Sequence, residues 1–144
     1  MDLTGRFPYK SSRGNEYILI AYHFDFNAIL GVAIKNHQAK TITTVWKSIQ
    51  DKFIISGSAP NTWVLDNITS YKLQAAMTKY KTTFQFVPPH THQANIAERA
   101  IQTFKNHFKT GLVSHPDFPI SEWDHLLDQA LITLNFFRAS RLNP

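Results

Sequence analysis

Among the ten acidic residues of this 144-residue chain, Asp2, Asp66 and Glu98 are the ones whose positions suggest shared chemistry. Asp66 ends the apolar run Trp63-Val64-Leu65, where a carboxylate costs free energy unless something compensates it. Taken alone, it either caps the helix that follows or acts chemically. Asp2 flanks a short first strand and by itself is an exposed terminal residue. Glu98 begins the polar stripe of a helix, where the helix dipole alone would favour a carboxylate. The three together say more. If the first strand and the Trp63 strand are neighbours, Asp2 and Asp66 emerge side by side, and the helix after Pro88-Pro89 can swing Glu98 over them. Three carboxylates with no Arg or Lys of their own repel one another, and a hard cation such as Mg²⁺ or Mn²⁺ would hold them together. Oxygen-rich ligation of two metals serves in-line displacement at phosphorus.

The helix carrying Glu98 has two faces. Ala97, Ile101, Phe104, Phe108 and Leu112 form an apolar stripe, and the pattern expects the helix to run from Asn95 to near Gly111. Glu98, Gln102, Lys105 and Lys109 follow at i, i+4, i+7 and i+11, so they line up beside it. Lys105 and Lys109 would then lie along a phosphate backbone.

Other candidates have ordinary explanations. Asp25 falls in a turn, Asp51 on the polar side of a helix and Asp117 beside a proline. Glu122 and Asp124 serve the start of the last helix, while Glu16 and Asp128 have no neighbour that would make them chemical. His90 and His92 sit in a Pro-rich loop with no cysteine anywhere in the chain, so a zinc site is not expected. Trp46, Trp123, Phe104 and Phe108 are expected in the core.

Several elements must position these residues. Tyr17 to Tyr22 and Ala28 to Ile34 are apolar runs joined by Asp25-Phe26-Asn27, an antiparallel hairpin. Ile42, Val45, Trp46, Ile49 and Phe53 define a helix stopped by Gly57 and Pro60. The Trp63 strand, a helix over Tyr71 to Tyr80 and a strand over Thr82 to Val87 follow. Ser121 and Asp124 have the spacing of a capping box before the last helix. The order β-β-β-α-β-α-β-α-α implies one α/β layered domain, with a mixed sheet of about five strands covered by helices on both faces.

Composition agrees with this reading. A net charge of +5 favours a polyanionic partner. The absence of cysteine excludes a disulfide framework. No apolar run approaches the length of a membrane span, and the opening is unlike a signal peptide, so a soluble protein is expected.

Met1-Asp2-Leu3-Thr4-Gly5, Leu65-Asp66-Asn67, His92-Gln93-Ala94-Asn95-Ile96-Ala97-Glu98-Arg99 and Thr103-Phe104-Lys105 resemble the catalytic core of retroviral and LTR-retrotransposon integrases. The resemblance extends to Leu134-Asn135 and the Arg138 to Pro144 tail. It implies a ribonuclease H-like fold and two divalent ions, Mg²⁺ or Mn²⁺, on Asp2, Asp66 and Glu98. It also implies 3′ processing of retroelement DNA ends and strand transfer into target DNA, with Gln102 and Lys105 contacting the element's end. Homo-oligomers, the host-cell nucleus and excision from a longer polyprotein belong to the same expectation. The sequence departs from the family at Ile68, which stands after Asp66-Asn67 where the family commonly has Gly, and in the 31 residues between Asp66 and Glu98, a short spacing. A single residue precedes Asp2: either the chain is an excised fragment or this aspartate sits on a frayed end. The alternative is a catalytically decayed or co-opted domain of the same fold that binds DNA or protein.

Overall fold

The computed structural model describes residues 1–65, 70–86 and 92–141, with the side chains of 92–95 left aside. Expectations for Asp66, Asn67 and Ile68, for the Pro88-Pro89-His90 loop and for the His92 side chain lie outside the described residues.

The elements follow the expected order. Strands β1 (Asp2–Leu3), β2 (Tyr17–His23) and β3 (Ala28–Ile34) precede helix α1 (Ala39–Ile55). Strand β4 (Thr62–Leu65), helix α2 (Tyr71–Lys79) and strand β5 (Thr83–Phe86) come next. Helix α3 (His92–Ser114), a 3-10 helix (Ile120–His125) and helix α4 (Leu126–Phe136) complete the chain. The long apolar runs pair as an antiparallel hairpin, with Tyr17 opposite Ile34 and His23 opposite Ala28. Asn27 takes up φ +51° in its turn, a conformation that asparagine tolerates better than most residues.

Among the described residues the strands pair as a three-stranded sheet, β1-β2-β3, and a two-stranded parallel sheet, β4-β5, and not as the continuous five-stranded sheet expected. The reason lies in β1, which is two residues long and spends its ladder on β2, with Asp2 opposite Ile20. The Met1 nitrogen, just before β1, still donates to the Val64 carbonyl of β4 at 3.0 Å.

Alternation along β2 divides the core. Leu19 and Ala21 pack with Trp46 and Ile49 of α1 and Leu73 and Met77 of α2. Ile18 and Ile20 face the other way, onto Phe104 and Phe108 of α3, Trp123, and Leu127 of α4. Helices therefore cover both faces, and each fully buried Ile or Leu of β2 contributes about 1.5–3 kcal/mol.

Three expected boundaries shift. Helix α1 starts at Ala39 and runs to Ile55, and Gly57 at φ +72° follows its end as expected. Helix α3 passes through Gly111 to Ser114, because Leu112 still packs against the core and an interior glycine costs only about 1 kcal/mol. The Ser121–Asp124 capping box does not form: the segment is a 3-10 helix preceded by Pro119 with no side-chain cap. Asp124 instead turns inward.

Candidate metal centre and its basic helix

Asp2 lies in β1 beside β2. Pairing with Ile20 fixes its backbone, and its side chain is partly buried, with 29% of its area exposed. Oδ1 accepts from the Leu3 N–H at 2.8 Å. Oδ2 faces the ammonium of Lys105 on α3 at 3.3 Å, and that side chain is 28% exposed. The sequence suggested carboxylates lacking a cation of their own. The structure corrects this: one cation of the helix stripe, Lys105, pairs with Asp2. Packing accompanies this, since Ile101, Phe104 and Phe108 seat α3 against Ile18 and Ile20 of β2, and Lys105 on the neighbouring stripe reaches Asp2 of β1.

The rest of the stripe is exposed. Glu98, Gln102 and Lys109 are all open to solvent, and Gln102 Nε2 donates along the helix to Asn106 Oδ1 at 2.9 Å. Glu98 shares the Lys105 line two turns earlier, roughly 10 Å away along the helix axis. Because α3 begins at His92, three residues before the expected start, Glu98 lies beyond the first turn. The dipole effect decays within that turn, so it does not account for this carboxylate.

Asp66 lies outside the described residues, but both flanks of its segment are informative. Strand β4 ends at Leu65, one residue before Asp66 in the sequence, and Leu65 is 1% exposed. The helix that follows is capped by Ser70, whose Oγ accepts from Leu73 N at 3.2 Å. The capping role open to Asp66 in the sequence is therefore filled by Ser70.

A second group of acids escaped the sequence reading. Asp124 is 3% exposed, and its Oδ2 accepts from Arg13 Nε at 3.1 Å and from Asn15 Nδ2 at 2.8 Å. Burial pushes its carboxyl up, but hydrogen bonds from Ser11, Asn15 and Arg13, with the Arg13 charge, hold it below the ordinary value. Glu122 and His125 approach each other at 2.7 Å, and with Asp124 they could offer ligand atoms within 4.8 Å of one another. The Arg13 guanidinium already neutralises Asp124, so this cluster ties the 11–15 loop to the 3-10 helix. Glu16 likewise has a partner, Arg6 at 2.9 Å, on an exposed surface. The periodicity signal could not find Asp124, because its partners lie more than 100 residues earlier in the chain.

No family model and no curated protein matches this sequence. Solved structures do. The catalytic core domain of BIV integrase superposes with a TM-score of 0.66 at 17% identity, over 88% of this chain and 80% of that one. The HTLV-2 integrase catalytic core domain in complex with magnesium, in its trimeric form, superposes with a TM-score of 0.66 at 20% identity, over 98% and 90%. A simian T-cell lymphotropic virus intasome in complex with PP2A regulatory subunit B56 gamma gives 0.70 at 16% identity, with 98% of this chain matched to 51% of that one. Among the described residues no helix is long and apolar enough to cross a membrane. This chain has the fold of retroviral integrase catalytic core domains.

Proposed function

We propose that the chain is a divalent-metal-dependent polynucleotidyl transferase, performing 3′ processing of retroelement DNA ends and strand transfer into target DNA. Asp2, Asp66 and Glu98 are its metal ligands in this reading. The support is the attachment of Asp2 to the two elements that lead to the other acids. The Met1 nitrogen donates to the Val64 carbonyl of β4 at 3.0 Å, and β4 ends at Leu65, one residue before Asp66 in the sequence. Asp2 itself touches Lys105 at 3.3 Å, on the stripe that begins with Glu98.

The donor set fits a hard cation. Carboxylate oxygens are the ligands that Mg²⁺ and Mn²⁺ select, and Asp2 Oδ2 already accommodates a positive charge. Two bound ions would neutralise the carboxylates and the charge that builds up on the phosphate during displacement. The chain's own residues do the remainder: the acids hold the ions, and Gln102, Lys105 and Lys109 orient the DNA backbone on α3. No covalent enzyme intermediate is required. The magnesium complex of HTLV-2 integrase supports the cofactor assignment and the viral intasome supports DNA as partner. Homo-oligomers in the host nucleus, from a protein cut out of a longer polyprotein, complete the proposal. The exposed Ile132 and Phe136 of α4, at 63% and 82%, offer an apolar face for self-association.

A pre-cut 3′ oligonucleotide end supplied with plasmid DNA and Mn²⁺ tests the reading. The wild type should join the two, and Glu98→Gln should abolish joining with an unchanged unfolding transition. Retained joining in Glu98→Gln removes that residue from the site. The second reading, a co-opted DNA-binding domain, draws on the neutralisation of Asp2 by Lys105. Salt-dependent DNA binding without any joining by the wild type would favour it.

A further inference from the structure

We propose that Lys105 is an exchangeable counter-ion: it competes with divalent metal for Asp2, and releases that carboxylate when a DNA phosphate takes its ammonium. Metal and DNA then bind cooperatively. This rests on the metal-centre reading above and adds a regulatory role for one residue of that site.

The observations concern single atoms. Asp2 Oδ1 accepts from the Leu3 N–H at 2.8 Å, while Oδ2 has Lys105 Nζ on it at 3.3 Å, in the position a cation ligated by that oxygen would take. A metal ion and the ammonium cannot both take that position at full strength, because like charges in one partly shielded pocket repel. Both side chains are a little over one-quarter exposed, 29% and 28%. That leaves the pair dry enough to matter and open enough to part. Lysine suits exchange, since a compact charge on a flexible stem makes no bidentate fork that would lock it to a carboxylate. Its other position is toward solvent, in line with the exposed Gln102 and Lys109, on the face where a phosphate backbone would run. Gln102 does not compete for Asp2, because its amide is turned to Asn106. By linkage, whatever draws Lys105 away from Asp2 strengthens metal binding, and metal binding strengthens the attraction of Lys105 for phosphate to the same degree.

The test is a Mn²⁺ titration of the full chain by electron paramagnetic resonance at fixed ionic strength, first without DNA. Lys105→Gln should bind Mn²⁺ about three- to fivefold more tightly than wild type, the upper end of the scale of a partly exposed ion pair. Lys105→Arg, which keeps the charge and checks the fold, should stay near wild type. Lys109→Gln removes the same charge one turn away and should change affinity by about twofold or less. Adding a short duplex should tighten Mn²⁺ binding in wild type, and most of that gain should vanish in Lys105→Gln. Equal Mn²⁺ affinity in wild type and Lys105→Gln, or an equal effect of Lys109→Gln, overturns the exchange. If Asp2→Asn still weakens Mn²⁺ binding in that case, the metal centre stands without the exchange. If neither Asp2→Asn nor Glu98→Gln weakens it, the metal-centre reading falls and the exchange falls with it.

Discussion

The side-chain amide of Asn135 closes the free edge of β3 at Ile29: its Oδ1 accepts from Ile29 N at 2.9 Å and its Nδ2 donates to Ile29 O at 2.7 Å. A helix residue thereby imitates the next strand of the sheet. Edge strands otherwise invite pairing with another chain. Asn135→Leu leaves both backbone groups without that partner and should lower stability by about 1–3 kcal/mol. Urea unfolding measures the loss, and an unchanged midpoint would show that water replaces the amide at no cost.

Asp124 gives a pH prediction with a definite sign. Its folded-state carboxyl lies below the ordinary value, so its stabilisation is present above the unfolded-state value and disappears as pH falls through the folded one. At pH 7, Asp124→Asn should be less stable than wild type by about 1.5–3 kcal/mol. That gap should shrink below about pH 4, where unfolded carboxylates take up protons. Denaturant titrations at both pH values decide it, and a gap independent of pH would exclude the carboxylate charge as its source.

Gln50 ties α1 to the strand that leads to Asp66. It is 2% exposed, and its Oε1 accepts from Trp63 Nε1 at 3.0 Å. Gln50→Leu strands a buried indole N–H and should cost about 1–3 kcal/mol. Trp63→Phe in the Gln50→Leu background removes the stranded donor, so a double-mutant cycle should recover part of the loss. Strict additivity of the two substitutions would argue that the bond contributes nothing.

The exposed end of the α3 stripe should show in the salt dependence of DNA binding. Lys109→Ala should weaken binding similarly across sequences and reduce the slope of log K against log salt by about 0.9 for each phosphate that the lysine neutralises. A slope equal to that of wild type would return Lys109 to an ordinary solvated surface.

Local pattern carried the elements because burial repeats with the period of the backbone. The two faces of β2, the stripe of Ile42, Trp46 and Ile49, and the apolar line of α3 were all legible from spacing, and each is found in the core. The same logic failed where a residue answers to partners distant in sequence. Ser121 and Asp124 have the spacing of a cap, yet Asp124 bonds to Arg13, because a buried carboxylate is held more strongly by a guanidinium than by a helix end. Gln50 was invisible for the same reason, as a polar residue whose partner sits on another element.

Which residue types could gather divalent metal, and that a basic stripe follows Glu98 on one helix, were properties of the sequence itself, since side-chain chemistry and helical period are local. That Lys105 takes Asp2, 103 residues away, was decided by tertiary packing alone. The apolar face of α3 fixes the rotation of the helix on the sheet, and this rotation selects which cation of the stripe meets which acid.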